Sequence, residues 1–416
     1  MLLQLHPTGN ANVRQVLRSL IEAGQLGAFA TTLGFAEPSA WQAHLPDRLR
    51  RELGRRNFAV PRDRLFTHPT RETLRLIAVR LGWLRLAQYN RGCLSEIKMY
   101  TDFDAHFAGR LPGFRGRFGL RAVYAYEDGA ESVFTAARSL GLSTFYELPI
   151  VYWETLVKLL TEEAERWPAW RPTFGGIQDS PELRARKQRE IELADTVICP
   201  SRFVLDSIPP ELRAGRRCVL APYGGPVMAP DVRMERNPRG ARLRVLFAGA
   251  LSQRKGLADV FAAWRMLKRS DIELVVLGRL LAPLEFYTRQ CPGFIYEAPR
   301  PHADVLALMQ TCDVFLFPSI AEGRALVQQE AMACGLPLIA TPNAGGDDLI
   351  VEGTTGFLVP IRQPEAVARR LDWCADHREG VREMGDQARL HAAAFSWEAF
   401  RKSIAAITSD VPNPSQ

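Results

Sequence analysis

The hydrophobic positions of this chain alternate between two periods. Leu2-Leu3-Gln4-Leu5 is a short apolar run that ends in the turn residues His6-Pro7-Thr8-Gly9-Asn10, after which Val13, Val16, Leu17, Leu20 and Ile21 recur at helical spacing. This predicts strand, turn and helix. Further short apolar runs at 122–126, 144–146 and 196–199 are separated by helical patterns, among them 154–167 and 181–194. Alternation of this kind implies a parallel sheet covered by helices on both faces.

The pattern breaks between 221 and 241, where Ala221-Pro222-Tyr223-Gly224-Gly225-Pro226 and Asn237-Pro238-Arg239-Gly240 carry no apolar period. It then resumes with strands at 244–248, 274–277, 314–317 and 338–341 and helices at 257–267, 302–311 and 325–333. Gly335 and Pro337 supply a left-handed cap and a stop for the last of these helices. The expected organisation is an α/β chain of two doubly wound domains, 1–221 and 243–395, joined by a linker at 222–242. A helix at 396–409, capped by Ser396, is expected to pack across both, and 410–416 reads as a tail. The 416 residues agree with two cores, since single cores stop growing near ~250–300 residues.

Composition narrows the class. A chain 47% hydrophobic and 24% charged is globular, and no apolar run long enough to span a membrane is free of arginine. The seven cysteines are odd in number and lack zinc spacing, so they read as free thiols of a cytoplasmic protein. A net charge of +7 favours anionic partners, but only six of the 53 basic residues are lysine, a bias that lowers the weight of any one arginine cluster. The segment 48–87, arginine-rich and then apolar, reads either as a peripheral contact with the anionic inner face of a membrane or as a solvated helix face. No motif for nucleic acid is present. His68, His106, His377 and His391 have no metal-ligand spacing, and Asp347-Asp348 reads as a helix cap rather than a metal pair.

The most informative stretch is 318–337. A strand ends at Pro318, Glu322-Gly323 lies in the following loop, and a helix starts near Arg324-Ala325-Leu326, so its free N–H groups face the sheet edge where doubly wound folds bind ligands. Glu330 stands ~9 Å further along that helix, which lets two carboxylates address different parts of one elongated, phosphate-bearing ligand. Arg254-Lys255-Gly256 opens at the same edge and brings two cations to a diphosphate.

These residues resemble the GT-B retaining glycosyltransferases of family 4. Glu322 and Glu330 match the family's Glu-x7-Glu signature, Lys255-Gly256 its phosphate loop, and Gly345-Gly346 the turn after the next strand. The match runs from Arg244 to about Ile407. The resemblance implies two Rossmann-like domains facing across a cleft and a nucleoside-diphosphate sugar, UDP or GDP, as donor substrate, with no metal or other cofactor. It assigns Glu322 to the donor sugar, Glu330 to the ribose, and Lys255 and Arg254 to the diphosphate, with a glycan, lipid-linked or small-molecule acceptor near Gly9-Asn10. The chain departs from the family at Gly249-Ala250, where Gly-Arg is usual and where Arg254 or Arg324 is expected to supply the charge, and at Ala325, where a glycine is common. The histidine usual at an N-domain strand end is not evident. Glu127, Asp128 and Glu147 stand at the two strand ends, and at least one of them is expected to meet the sugar in its place, the alternative being a turn at Asp128-Gly129 and an arginine partner for Glu147. An epimerase or phosphorylase on the same fold, and a silent sugar-nucleotide sensor, are the rival readings.

Overall fold

In the computed structural model, residues 1–37, 45–174, 179–227 and 242–410 are described. One parallel sheet is built from β1 (Leu2–Leu5), β2 (Leu26–Thr31), β3 (Leu65–Thr67), β4 (Ala122–Tyr126), β5 (Ser143–Glu147), β6 (Thr196–Cys199) and β7 (Arg217–Leu220), in the order β3-β2-β1-β4-β5-β6-β7. A second is built from β8 (Leu243–Ala248), β9 (Ile272–Leu277), β10 (Ile295–Glu297), β11 (Val314–Phe317), β12 (Leu338–Ala340) and β13 (Gly356–Leu358), in the order β10-β9-β8-β11-β12-β13. Counted from its own first strand, the second sheet reads 3-2-1-4-5-6, the doubly wound dinucleotide-fold order, and the first reads the same with a seventh strand added beyond the sixth. That order reverses between β1 and β4 and between β8 and β11, so a crevice opens there at the carboxyl ends of the strands.

The predicted α/β architecture is the one observed. The expected strands are present, and β2, β3, β7, β10 and β13 join them at or toward the sheet edges. Their sequences explain why periodicity missed them. Leu26-Gly27-Ala28-Phe29-Ala30-Thr31 carries three small residues, and β3, β10 and β13 are only three residues long. At 326–333 the helix ends as expected: Gly335 has φ +78°, Leu336 N–H donates to Ala331 O (3.0 Å) and Gly335 N–H to Met332 O (2.8 Å).

The chain crosses between the halves before the second sheet begins. After the helix Trp153–Arg166, a 3₁₀ turn at Pro168–Thr173 carries Trp170 into the second core, against the rings of Phe261, Phe286 and Tyr287. Close by, buried Glu163 accepts from Gln253 Nε2 (2.6 Å) and from Arg362, while Asp259 accepts from Gln253 (2.7 Å) and Arg166 (2.6 Å). At the other end, the helix Trp397–Ser409 places Phe400, Ile404 and Ile407 in one cluster with Val13, Val16 and Leu20 of the helix Ala11–Glu22. Tyr223 and Gly225, at the start of the expected linker, are pinned by Gln329 Nε2 donating to Tyr223 O and by Gly225 N–H donating to Phe395 O. Residues 228–241 of that linker and 411–416 of the expected tail lie outside the described residues.

Trp170 is a filled aromatic pocket between the two halves. Trp170→Ala is expected to destabilise the protein by about 3–5 kcal/mol, the usual cost of deleting a buried indole. Denaturant unfolding measures it, and a loss under ~1 kcal/mol, the size of an ordinary surface change, would show that the crossing is not part of the core.

Candidate active site

The loops after β8 and β11 are fused through backbone groups. Arg254 O accepts from Ile320 N–H (2.9 Å) and from Ser319 Oγ (3.0 Å). Gly256, with φ +78°, passes so close to the second loop that a Cβ would lie 1.9 Å from Pro318 O. Only glycine fits, on both conformational and steric grounds. Arg254 Nη1 donates to Ala321 O (3.0 Å) and Glu322 Oε2 (3.2 Å), and Lys255 Nζ contacts that same carboxylate oxygen while lying 5.1 Å from the Phe317 ring centre. Burial and the neighbouring Arg254 both push the Lys255 pKa well down, and its Nζ lies against the Glu322 carboxylate. Two basic side chains and one carboxylate share a mostly buried corner. Gly249, at the end of β8, packs its α-carbon beside the Lys255 stem.

The helix of the second loop runs Leu326–Ala333, slightly later than expected, and no side chain caps its N-terminus. Ala325, at its N-cap, has φ −72°, so alanine is unstrained where the family often has glycine. Glu330, in the second turn, accepts from exposed His302 Nε2 (2.9 Å), a partner that sequence reasoning missed. Gly323 is where the halves meet: a Cβ there would lie 1.8 Å from Pro149 O, and its carbonyl accepts from Ser201 Oγ (2.7 Å). Gly345, with φ +70°, backs directly onto Gly323 O, and Gly346 lies against the buried Gln328 side chain.

Three expectations are corrected. The Arg324 guanidinium is engaged elsewhere: it is buried, its Nη1 donates to both carboxylate oxygens of Asp348 (2.6 and 2.7 Å), and it lies 5.0 Å from the Phe395 ring centre, whereas Arg254 stands beside Lys255. No helix follows Asp347-Asp348, which lie in turns, so Asp348 is an ion-pair partner rather than a cap. The third concerns the N-terminal carboxylates. Glu147 is buried and accepts from Asn12 Nδ2 (2.6 Å), Tyr124 OH (2.6 Å) and Tyr223 OH (2.8 Å), so its oxygens are already engaged inside the protein. Burial raises its pKa, and the three donors oppose that rise. Glu127 and Asp128 face Lys187 at 3.6 and 3.7 Å, with Asp179 closer at 3.0 Å, and burial holds the Glu127 pKa up near about 7. A desolvated carboxylate needs such partners, and these three have found them internally.

A histidine does stand at an N-terminal strand end. His6 follows β1, is buried against Tyr126, and accepts through Nδ1 from Thr8 N–H (3.0 Å) and Gly9 N–H (2.9 Å), which places the ring proton on Nε2. It shapes the loop in which Gly9 has φ +87° and Asn10 Oδ1 caps the next helix at Val13 N–H (3.2 Å). The signal available in the sequence was its place, directly after the first strand.

Comparison with known proteins bears on the family and the fold. Residues 231–391 match the family described as Glycosyl transferases group 1. The D-inositol 3-phosphate glycosyltransferase of Paenarthrobacter aurescens is 28% identical over 313 residues, which cover 68% of this chain and 72% of that protein. Over 231–391 the chain carries the group 1 glycosyltransferase domain. Members of this family are retaining GT-B enzymes that take a sugar from a nucleotide donor. Sucrose-phosphate synthase of Thermosynechococcus elongatus has the same fold over 98% of both chains, with a TM-score of 0.66 at 17% identity. Anabaena HepE, solved with UDP, superposes with a TM-score of 0.61 at 15% identity over 98% of this chain and 99% of its own.

Burial pushes the His6 pKa of this glycosyltransferase down to about 3. An imidazole depressed in the folded state contributes stability above its unfolded pKa of ~6.5, and that contribution is lost as pH falls toward the folded value, by up to ~1.4 kcal/mol per unit. His6→Asn keeps an acceptor for Thr8 and Gly9 but cannot titrate. The stability difference between the wild type and this variant is therefore expected to shrink steadily in urea unfolding as pH drops below 6.5. A constant difference would show that His6 is not buried neutral.

Proposed function

We propose that this glycosyltransferase binds its donor, a nucleoside-diphosphate sugar, at the crossing of β8 and β11, with 1–221 as the acceptor-side unit and 243–395 as the donor-side unit. The observation that carries the reading is the convergence of Lys255, Arg254 and Glu322 on one corner beside an uncapped helix N-terminus. As the bond from the anomeric carbon to the phosphate breaks, negative charge grows on the leaving diphosphate. Fixed cations and backbone N–H groups there act mainly on the transition state. Without ligand, both cations rest on Glu322. A diphosphate replaces the carboxylate as their partner, which frees Glu322 for the hydroxyls of the sugar, while Glu330 holds the ribose. The amides at Gly323, Arg324, Ala325 and Leu326 serve the phosphates, and Gly249, Gly345 and Gly346 let the backbone come close to the donor.

UDP, the ligand of Anabaena HepE, is the first donor nucleotide to assay, with GDP second. The acceptor enters from the side of Gly9 and Asn10. A phosphorylated cyclitol is the first small acceptor to test, given the name of the P. aurescens relative, and a glycan or lipid-linked acceptor is the alternative. The reading places the enzyme in the cytoplasm, where nucleotide sugars are its donors.

UDP is expected to stabilise the protein more than UMP, approaching ~2.7 kcal/mol at a concentration 100 times its dissociation constant. Equal thermal shifts for the two nucleotides would remove the diphosphate corner from the mechanism. Glu322→Ala should abolish transfer while UDP still binds, Glu330→Ala should chiefly weaken UDP binding, and Lys255→Ala should slow transfer by on the order of 10²-fold. Near-native turnover of Glu322→Ala would reassign the first glutamate.

A further inference from the structure

The helix Thr70–Arg80 is inside out. Its buried residues are Glu72 and Ala78, and Glu72, only 1% exposed, holds Arg56 (2.9 Å) and Arg75 (2.7 Å) beneath the helix. Leu74, Leu76, Ile77 and Val79 face outward instead. The exposed surface continues through Leu81, Trp83 and Leu84, which are 57%, 57% and 62% exposed, to Leu86 and Tyr89. An ordinary surface helix buries its aliphatic side chains, and a contiguous exposed apolar patch marks a docking surface.

The loop that carries the patch is built rather than loose. Trp83 N–H donates to Ala78 O (2.8 Å) and Leu94 N–H to Leu86 O (2.8 Å). Gly92 passes so near Leu86 that a Cβ would lie 2.1 Å from its carbonyl oxygen, and Tyr89 OH donates to Asp179 (2.7 Å). Charge selects the occupant. Between Glu72 and Glu96 the chain has no carboxylate and four arginines. Arg75 is taken by Glu72, whereas Arg80, Arg85 and Arg91 are exposed and form no ion pair with the described residues. Aliphatic side chains and an indole interleaved with unpaired arginines match the boundary between acyl chains and anionic headgroups. The helix also starts directly after β3 and His68, at the edge of the first sheet where β1 and β4 end. A surface bound there sits beside the acceptor side of the cleft.

We propose that residues 74–91 dock the protein on an anionic lipid bilayer. This moves the surface expected at 48–87 to its C-terminal part and extends it to Arg91. Arg56 is tied to Glu72 and Arg64 is tied to Leu26 O, while the side chains of residues 48, 49, 51 and 52 lie outside the described residues. The inference goes beyond glycosyl transfer and does not depend on it, since a chain inactive with every nucleotide sugar would still bind vesicles.

The test is co-sedimentation of the full chain with phosphatidylcholine vesicles and with vesicles containing roughly one-third phosphatidylglycerol. Binding to the anionic vesicles alone, released by salt, is expected. The Leu81→Ser/Trp83→Ser/Leu84→Ser variant should lose on the order of 10²-fold in affinity. Arg80→Gln/Arg85→Gln/Arg91→Gln should lose about as much. Both should keep the wild-type unfolding temperature and UDP response, because the changed side chains are exposed and touch no donor-site residue. Absence of sedimentation, or equal binding to both vesicles, would overturn the proposal. So would a dimer in light scattering that the apolar triple variant abolishes, because the patch would then be covered by a second copy.

Discussion

The corner proposed for the donor depends on one acceptor, the carbonyl oxygen of Arg254. By receiving Ile320 N–H and Ser319 Oγ, it locks the loop that carries the cations to the loop that carries Glu322, and it does so only because Gly256 lets the first backbone slide under Pro318. With the backbones joined, Arg254 and Lys255 reach one oxygen of Glu322 without long excursions of flexible side chains. Preorganisation of this kind makes fixed charges effective, since little reorganisation is left for the moment when charge develops.

The lock is itself anchored in the other half. Gln253, next to Arg254, gives its amide hydrogens to Glu163 and Asp259 and accepts from Ala258 N–H (2.7 Å), so the phosphate loop rests on the helix Trp153–Arg166. Trp170 seals the same seam with apolar surface, and Gly323 against Pro149 brings the halves into contact at the site itself. The charged groups of this seam, Glu163, Asp259, Arg166 and Arg362, are paired with one another or with Gln253, the condition under which buried charges are tolerated. Loss of one member would leave its partners uncompensated and disturb the cations two residues away.

The first sheet handles its charges differently. Glu147 is surrounded by an amide and two phenols, Lys187 by three carboxylates, and His6 is kept neutral by burial while its Nδ1 accepts from two backbone N–H groups. These groups brace the strand ends of the first half against one another, which leaves the basic corner beside β8 and β11 as the best-equipped place for a diphosphate.

What the sequence determined by itself is local and periodic. Alternating apolar runs and helical spacings settled the α/β class, because burial imposes those periods on any chain that folds this way. The spacing of Glu322 and Glu330, with Lys255-Gly256 before them, pointed to the region proposed for the donor because strand, loop and helix follow one another within a few residues. Tertiary structure alone decided which charges are available. Glu147 and Arg324 look as free in the sequence as Glu322 and Arg254, but Tyr124, Tyr223 and Asp348, distant along the chain or across a turn, engage the first two. The same holds for Glu72, which a helical pattern would place outward, and for the leucines around it, which the fold leaves exposed. Whether a polar group faces water, a ligand or an internal partner depends on contacts between remote segments, and no period along the chain encodes them.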